Sequence, residues 1–217
     1  MHLKKKPFLE KYINQEISIM KELHHPNIVR YEEEFRSMWA IYNLANDFII
    51  IVMEYCEQGN LLTYQAKLPG KTFPLKHALK VTVEVLKGLR CIHEKNFIHR
   101  DIKSENVLLK KIYKDKDSYD IGYKIADFGF ARSIGSAGAK THCGTEKYMA
   151  PEIISNSYYG ISVDIWALGV LFYFMLFAEY PFKGHDMKAE INRRCSHPHF
   201  SLQATVTKKE KLKEVTP

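Results

Sequence analysis

Several things are missing from this sequence, and each absence excludes something. No apolar run is long enough to span a bilayer. The longest, Ile165 to Ala178, reads as a buried core helix. The four cysteines, Cys56, Cys91, Cys143 and Cys195, form no C-x-x-C pair, so neither a zinc site nor a disulfide framework is indicated. Free thiols fit a reducing interior, and a cytoplasmic protein is expected, with the nucleus left open. No apolar segment backs the lysines of MHLKKKPF, so a signal peptide is not expected. No repeat or low-complexity tract occurs, and no glycine stands before Gly59. There is also no arginine-rich stripe interleaved with aromatics. The formal charge of +7 comes largely from short runs at Lys4–Lys6, Lys110–Lys116 and Lys208–Lys213. Those read as solvated faces or tails rather than a nucleic-acid surface.

What is present suits one or two globular domains. Of 217 residues, 46% are apolar and 26% charged, enough to bury a core. Leu9, Tyr12, Ile13, Ile17, Met20 and Leu23 recur at helical spacing, which predicts a helix over Phe8–Leu23, ended by His25-Pro26. Strands are expected at Ile28–Phe35 and Asp47–Glu54, with a loop, Arg36–Asn46, between them. A hinge follows at Glu57-Gln58-Gly59-Asn60. Val81, Val85, Leu86, Leu89 and Ile92 predict a helix over Leu75–Glu94. Short strands are expected at Val107–Leu109 and Tyr123–Ala126, separated by a charged insertion, KKIYKDKDSYDIG. A loop-like segment with five glycines or prolines runs from Asp127 to Glu152, and an apolar helix covers Ser162–Ala178. Weaker helices are expected near Asp186–Cys195 and Thr207–Glu214.

The chemistry concentrates in FIHRDIKSENVLL, Phe97 to Leu109. Between two apolar ends stand Asp101, Lys103 and Asn106: an acid, a cation and an amide. A further acid follows in Asp127-Phe128-Gly129, and Met149-Ala150-Pro151-Glu152 comes later. A hydrogen-bonded turn is the plain alternative for each piece, but the ordered set is far rarer than any single triplet. This order resembles the catalytic half of a eukaryotic protein kinase. Lys103, and Thr145 in C-G-T-E-K-Y, match the serine/threonine branch. K-I-A-D-F-G-F-A-R and V-M-E-Y-C weakly resemble the autophagy-initiating kinases.

The resemblance implies an α+β fold: a small N-lobe, 1–54, holding one helix and two strands, and a mainly helical C-lobe, 55–217. It implies transfer of the ATP γ-phosphate to a protein Ser/Thr hydroxyl, with ATP and Mg2+ as cofactors and a regulatory partner unknown. Asp127 and Asn106 would hold the metal, whose preference is for hard oxygens. Asp101 would orient the substrate hydroxyl and accept its proton, Lys103 would neutralise phosphate charge, and Thr145 would contact both. Glu16 would pair with a nucleotide-binding lysine. Met53 would be the gatekeeper, Glu54 and Cys56 would offer hinge backbone groups, and Asn60, Glu105 and Leu108 would complete the nucleotide contacts. His99 is expected as a packed core residue stacked with Phe128, in a spine with Met20 and Tyr31 anchored by Asp164. Arg100 would bind a phosphate on Thr141, with Ser133 and Ser136 as rival sites.

The pattern also departs from the family. No G-x-G-x-x-G loop precedes Glu16, and Lys4–Lys6 lie closer to Glu16 than the family spacing. The arginine that pairs with Glu152 in the family is not found, Arg193 and Arg194 coming too early. These departures lead us to expect a partial gene product lacking early strands and late helices. They also keep a second class open: a pseudokinase or scaffolding module without turnover. A small-molecule kinase and a nucleic-acid-binding module are the remaining alternatives.

Overall fold

The computed structural model describes the backbone of residues 7–41, 44–135, 138–182 and 189, and the side chains of these except 7–9, 36–41 and 44–48. Helix α1, Pro7–Glu22, buries Ile17, Ile19 and Met20 and leaves its charged positions outside except Glu16, which is half-buried. It stops where predicted, and the turn after it is closed by side chains. The Asn27 N–H donates to His25 Nδ1 (3.0 Å), while Asn27 Nδ2 donates to the Tyr123 carbonyl (2.9 Å) and to Glu84 (3.2 Å).

Next comes an antiparallel hairpin of β1, Tyr31–Ile41, and β2, Leu44–Met53. This corrects the expected loop at Arg36–Asn46: those residues continue both strands, in register from Arg36↔Ile49 to Ile41↔Leu44. Their apolar residues show no clear period because a two-stranded ribbon need not bury one face along its whole length.

Past the hinge lie a short helix α2, Leu61–Gln65, and the long helix α3, Leu75–Glu94. Two short strands follow at distant points of the chain, β3, Phe97–Ile98, and β6, Arg132–Ser133, paired antiparallel. Between them β4, Val107–Tyr113, pairs with β5, Tyr119–Ile125. The supposed charged insertion is therefore the outer half of a hairpin. Its charges sit on solvent-facing positions, and an Asx turn at Asp115 closes the tip by accepting from the Asp117 and Ser118 N–H groups. The chain continues through a one-turn helix, α4, Pro151–Ile154, to α5, Ser162–Phe177. The helices expected at Asp186–Cys195 and Thr207–Glu214 lie outside the described residues, Ala189 excepted.

The main core forms where α3 lies against α5 and β5. Ala78, Val81, Val85, Leu89 and Ile92 are buried from α3, with Leu168 and Leu171 from α5 and Ile125 from β5. Gly88 permits the closest approach. A Cβ there would stand 2.8 Å from both the Asn27 carbonyl oxygen and Ile125 Cδ1. Each fully buried leucine or isoleucine contributes about 1.5–3 kcal/mol. Exposed pairs such as Arg90–Glu94 are screened by solvent and contribute little, so apolar packing decides this arrangement.

One charge is placed inside that apolar setting. Asp164, in the first turn of α5, is fully buried. Its Oδ2 accepts from His93 Nε2 (2.8 Å) and from the His99 N–H (3.0 Å), and its Oδ1 accepts from the Arg100 N–H (2.8 Å). Removing the carboxylate strands two backbone donors and one ring donor in the interior. Asp164→Ala is predicted to cost about 3–5 kcal/mol, read as a lower urea midpoint, because each buried donor left without an acceptor costs about 1–3 kcal/mol. A loss under about 1 kcal/mol would show that water takes the carboxylate's place.

Candidate active site

Asp164 sets the backbone on which the site is built. It grips the N–H of Arg100, whose φ of 69° is left-handed. Asp127 shares that conformation at φ 64°. Such backbone costs a non-glycine residue about 1–2 kcal/mol and persists only where surrounding contacts hold it. Both positions aim a carboxylate into the same region: Asp101, which follows Arg100, and Asp127 itself.

Between them His99 is fully buried, its ring 5.1 Å from that of Phe128 in an edge-on contact. Its Nε2 donates to the Ala126 carbonyl (3.1 Å) and its Nδ1 accepts from the Asp101 N–H (3.3 Å). That pair of bonds needs the neutral ring, and burial pushes the imidazole pKa down, with the Asp164 charge opposing. His99 is thus a packed core residue, as expected, and it joins the two acidic segments. Met20 is buried beside them in the same core, and Tyr31 packs at its edge under Lys21.

Asp101 is 3% exposed and every lone pair is directed. Oδ1 accepts from the Thr145 hydroxyl (2.8 Å) and the Thr145 N–H (3.1 Å). Oδ2 accepts from Asn106 Nδ2 (2.9 Å) and pairs with Lys103 Nζ at 2.6 Å. Lys103 also donates to Thr145 Oγ1 (3.0 Å). Burial alone would raise the Asp101 pKa, but the bonds from Lys103, Thr145 and Asn106 outweigh it, and the pKa falls below the ordinary value. Gly144 makes room for this ring of contacts: its φ is +102°, and a Cβ would strike the Arg100 carbonyl at 2.5 Å. Four of the predicted catalytic residues, Asp101, Lys103, Asn106 and Thr145, are therefore in one hydrogen-bonded unit.

Asn106 Nδ2 is used twice, on the carbonyl and on Oδ2 of Asp101, which turns its Oδ1 away from that unit. Asp127 Oδ1 accepts from the Gly129 N–H (3.2 Å). Asn106 Oδ1 and Asp127 Oδ2 accept no hydrogen bond among the described residues. These two hard oxygens fit a divalent cation of the magnesium type.

A small apolar patch lies beside the acids. Val29, Cys56 and Ala126 are buried together, with Leu108 packed against them. Leu108 and Cys56 were expected there; Val29 and Ala126 were not singled out, although Ala126 directly precedes Asp127. At the hinge the Glu54 N–H is bonded to the Arg30 carbonyl (2.8 Å), while the Glu54 carbonyl and Cys56 N–H have no partner within the described chain. The Glu54 side chain is no bystander. It bonds Lys110 (2.5 Å), Lys124 (3.0 Å) and the Arg30 N–H (3.2 Å). Burial would raise its pKa, but those bonds bring it down to about 2. Met53 is 46% exposed at the end of β2.

Two expected nucleotide contacts find other work. Asn60 is the N-cap of α2, its Oδ1 accepting from the Thr63 N–H (2.9 Å). Short helices need such a cap, because their first N–H groups have no partner. Glu105 is exposed and accepts from Ser104 Oγ (2.9 Å).

With Thr141 unmodified, Arg100 makes no direct bond to it among the described residues. Its Nε donates to the Phe130 carbonyl (2.7 Å) and its Nη1 to the Tyr159 hydroxyl (3.2 Å). Tyr159 in turn donates to the Thr141 carbonyl (2.6 Å), and Arg132 donates to the Thr141 hydroxyl (3.3 Å). Arg132 and Tyr159 were missed, and Arg132 had a signal: it is one of two cations between Asp127 and Thr141, the other being Lys140. Lys11, Arg100, Arg132 and Thr141 line one cavity of about 380 Å³, with Glu16 at its edge.

Residues 2–216 match the model of the protein kinase domain. The chain belongs to the protein kinase family. It is 36% identical over 177 residues to the serine/threonine-protein kinase DCLK3 of Mus musculus, covering 82% of this chain and 20% of that protein. It is 34% identical over 192 residues to Nek3 of Mus musculus (88% and 34%) and 37% identical over 176 residues to ATG1a of Arabidopsis thaliana (79% and 25%). Both are also serine/threonine-protein kinases. The kinase is thus of the serine/threonine type, and it spans a fifth to a third of the length of these curated relatives. Three kinase groups match at similar identity, so the match to ATG1a does not single out the autophagy-initiating group.

Glu16 is the residue whose surroundings differ from the expected pairing. Among the described residues no lysine or arginine pairs with it. Burial first, and then the neighbouring Asp127 carboxylate, push its pKa above the ordinary 4.5. A carboxyl whose pKa rises on folding opposes folding while ionised, and that penalty disappears once pH falls below its unfolded value. Glu16→Gln in this kinase is therefore predicted to raise Tm at pH 7 slightly, by no more than about 1 °C, because solvent screens a half-buried carboxylate. The gain should vanish below about pH 4.5. A lower Tm at pH 7 would mean that Glu16 is compensated by a cation.

Proposed function

We propose that this kinase transfers the γ-phosphoryl group of ATP to a serine or threonine hydroxyl of a protein substrate. The observation that carries the reading is the Asp101 unit: one buried carboxylate held on both oxygens by Thr145, Lys103 and Asn106. Phosphoryl transfer asks mainly for positioning and charge neutralisation, and this unit supplies both. Asp101 orients the incoming hydroxyl and accepts its proton. Its lowered pKa makes it a weak base, so orientation is the larger contribution. Lys103 offsets negative charge on the phosphoryl group. Asn106 and Asp127 would hold Mg2+, which when bound neutralises charge on the nucleotide phosphates. Residues 1–54 and 55–217 act as two lobes in this reading. Val29, Leu108 and Ala126 would pack against adenine, and the Glu54 carbonyl and Cys56 N–H would be available to bond it.

A second reading is a kinase fold used as a binding module without turnover: among the described residues no cation pairs with Glu16. A thermal-shift titration of the full chain with Mg·ATP, run beside a phosphoryl-transfer assay on a generic protein substrate, separates the two. The enzyme reading predicts a Tm rise with nucleotide. Asp127→Asn should lose that rise. Asp101→Asn should keep it while transfer drops by about 10²–10⁴-fold. A nucleotide shift with no transfer by the parent chain would select the module reading.

Thr141 adds a regulatory proposal. A phosphate there would meet Arg132 at once and Lys11 and Arg100 across the shared cavity, forming charge-assisted bonds that order the segment from Asp127 to Glu152. Phosphorylation of Thr141 is predicted to raise activity at least tenfold, with Thr141→Ala and Arg132→Ala both losing the gain. Equal activity of phosphorylated and unphosphorylated chains, checked by mass spectrometry, would remove Thr141 from the switch.

A further inference from the structure

A cavity of about 710 Å³ is lined by none of the catalytic residues. It lies between the α2–α3 connection and strand β5. Leu68, Phe73, Pro74 and Ile121 give it apolar walls, with Tyr64 stacked on Phe73 at 6.0 Å and Tyr123 beneath. Its volume is in the range of sites that hold a ligand of several hundred daltons or a few peptide side chains.

The rim is cationic. Lys76, His77 and Lys80 line it from the first turns of α3. The acid in the lining, Asp120, is already taken by Lys80 at 2.7 Å. Lys76 has no ion pair among the described residues, and neither do Lys67 and Lys71, which flank the lining residues in sequence. The site therefore presents an unpaired lysine, Lys76, on the rim of an apolar floor, with Lys67 and Lys71 close by in sequence.

The backbone limits how a partner can bind. β5 pairs with β4 on one side, and its other edge is already closed by side chains. Tyr123 donates its N–H to Glu84 (2.8 Å) and its carbonyl accepts from Asn27, while the Ile121 carbonyl accepts from Lys80 (2.8 Å). Strand addition, the usual way an extended peptide joins a sheet, is thus blocked. Recognition must come from side chains: apolar ones in the groove and anionic ones on the rim.

We propose that this groove is a docking site for a protein segment in which acidic residues flank leucine, isoleucine or phenylalanine. Such a segment meets Lys76 and His77 with its acids and fills the Leu68–Phe73–Ile121 walls with its apolar groups. The site lies apart from the phosphoryl-transfer unit, so docking is read by binding alone and does not depend on turnover.

The test is selection of a random dodecapeptide phage library on the full chain, with counter-selection on the double variant Lys76→Glu/His77→Glu. Both side chains are exposed, and an unchanged Tm verifies the fold of the variant. The expected result is enrichment of peptides combining Asp/Glu with Leu, Ile or Phe. Synthetic copies should bind by fluorescence anisotropy at least tenfold more weakly to the double variant, and more weakly at 0.5 M than at 0.1 M salt. A second variant, Ile121→Asp, places a charge in the wall and should also lose binding. Selection of basic peptides, of peptides indifferent to both variants, or of no binder at all would overturn the proposal.

Discussion

The buried carboxylate of Asp164 is the constraint on which the site depends. It sits in an all-apolar helix, where an unpaired charge is untenable, and it is satisfied by exactly the groups that would otherwise be orphaned around the catalytic loop: the His99 and Arg100 N–H groups and the His93 ring. The exchange is mutual. The loop supplies donors that make the charge tolerable, and the charge holds Arg100 in a left-handed conformation that no helix or strand would impose. Because Asp101 follows Arg100 directly, its position on the loop is inherited from α5. The packing of α5 against α3 is therefore a condition of the site's geometry, although neither helix touches the reacting groups.

From that anchor the polar groups are used economically. His99 spends one nitrogen on Ala126 and the other on Asp101, linking the segments that carry the two acids. Asn106 gives both its amide bonds to Asp101 and so leaves its oxygen for a cation. Thr145 accepts from Lys103 and donates to Asp101, which brings a residue from a distant loop into the unit. Each group is thus held in one orientation before any substrate arrives, which is what a reaction governed by positioning requires.

Much of this was legible in the sequence because it is local. H-R-D-I-K-S-E-N carries Asp101, Lys103 and Asn106 within six residues, and the helical periods of α1 and α3 were strong. Features that depend on what the folded chain brings alongside were not legible. The β1–β2 ribbon runs through Arg36–Asn46 because cross-strand pairing, not hydrophobic alternation, defines it. The charged stretch after Leu109 is a hairpin for the same reason. Asn60 looked like a ribose contact, yet its side chain caps α2, a demand that appears only once that helix is known to start at Leu61. The Tyr159 hydroxyl that links Arg100 to the Thr141 carbonyl comes from a residue eighteen positions beyond Thr141 and had no signal in the sequence.

The remaining tension lies at Glu16. Burial and the Asp127 charge both disfavour its ionised form, while the Asp101 unit a short way off is fully compensated. Among the described residues no cation pairs with Glu16, and its repulsion with Asp127 is one that a bound positive charge would relieve. A divalent ion at Asp127 would relieve it directly, and it would do so most strongly where water is excluded. The same repulsion that costs stability in the free chain thus adds to affinity for a cation. Ligand binding and folding would then be linked through one pair of acids.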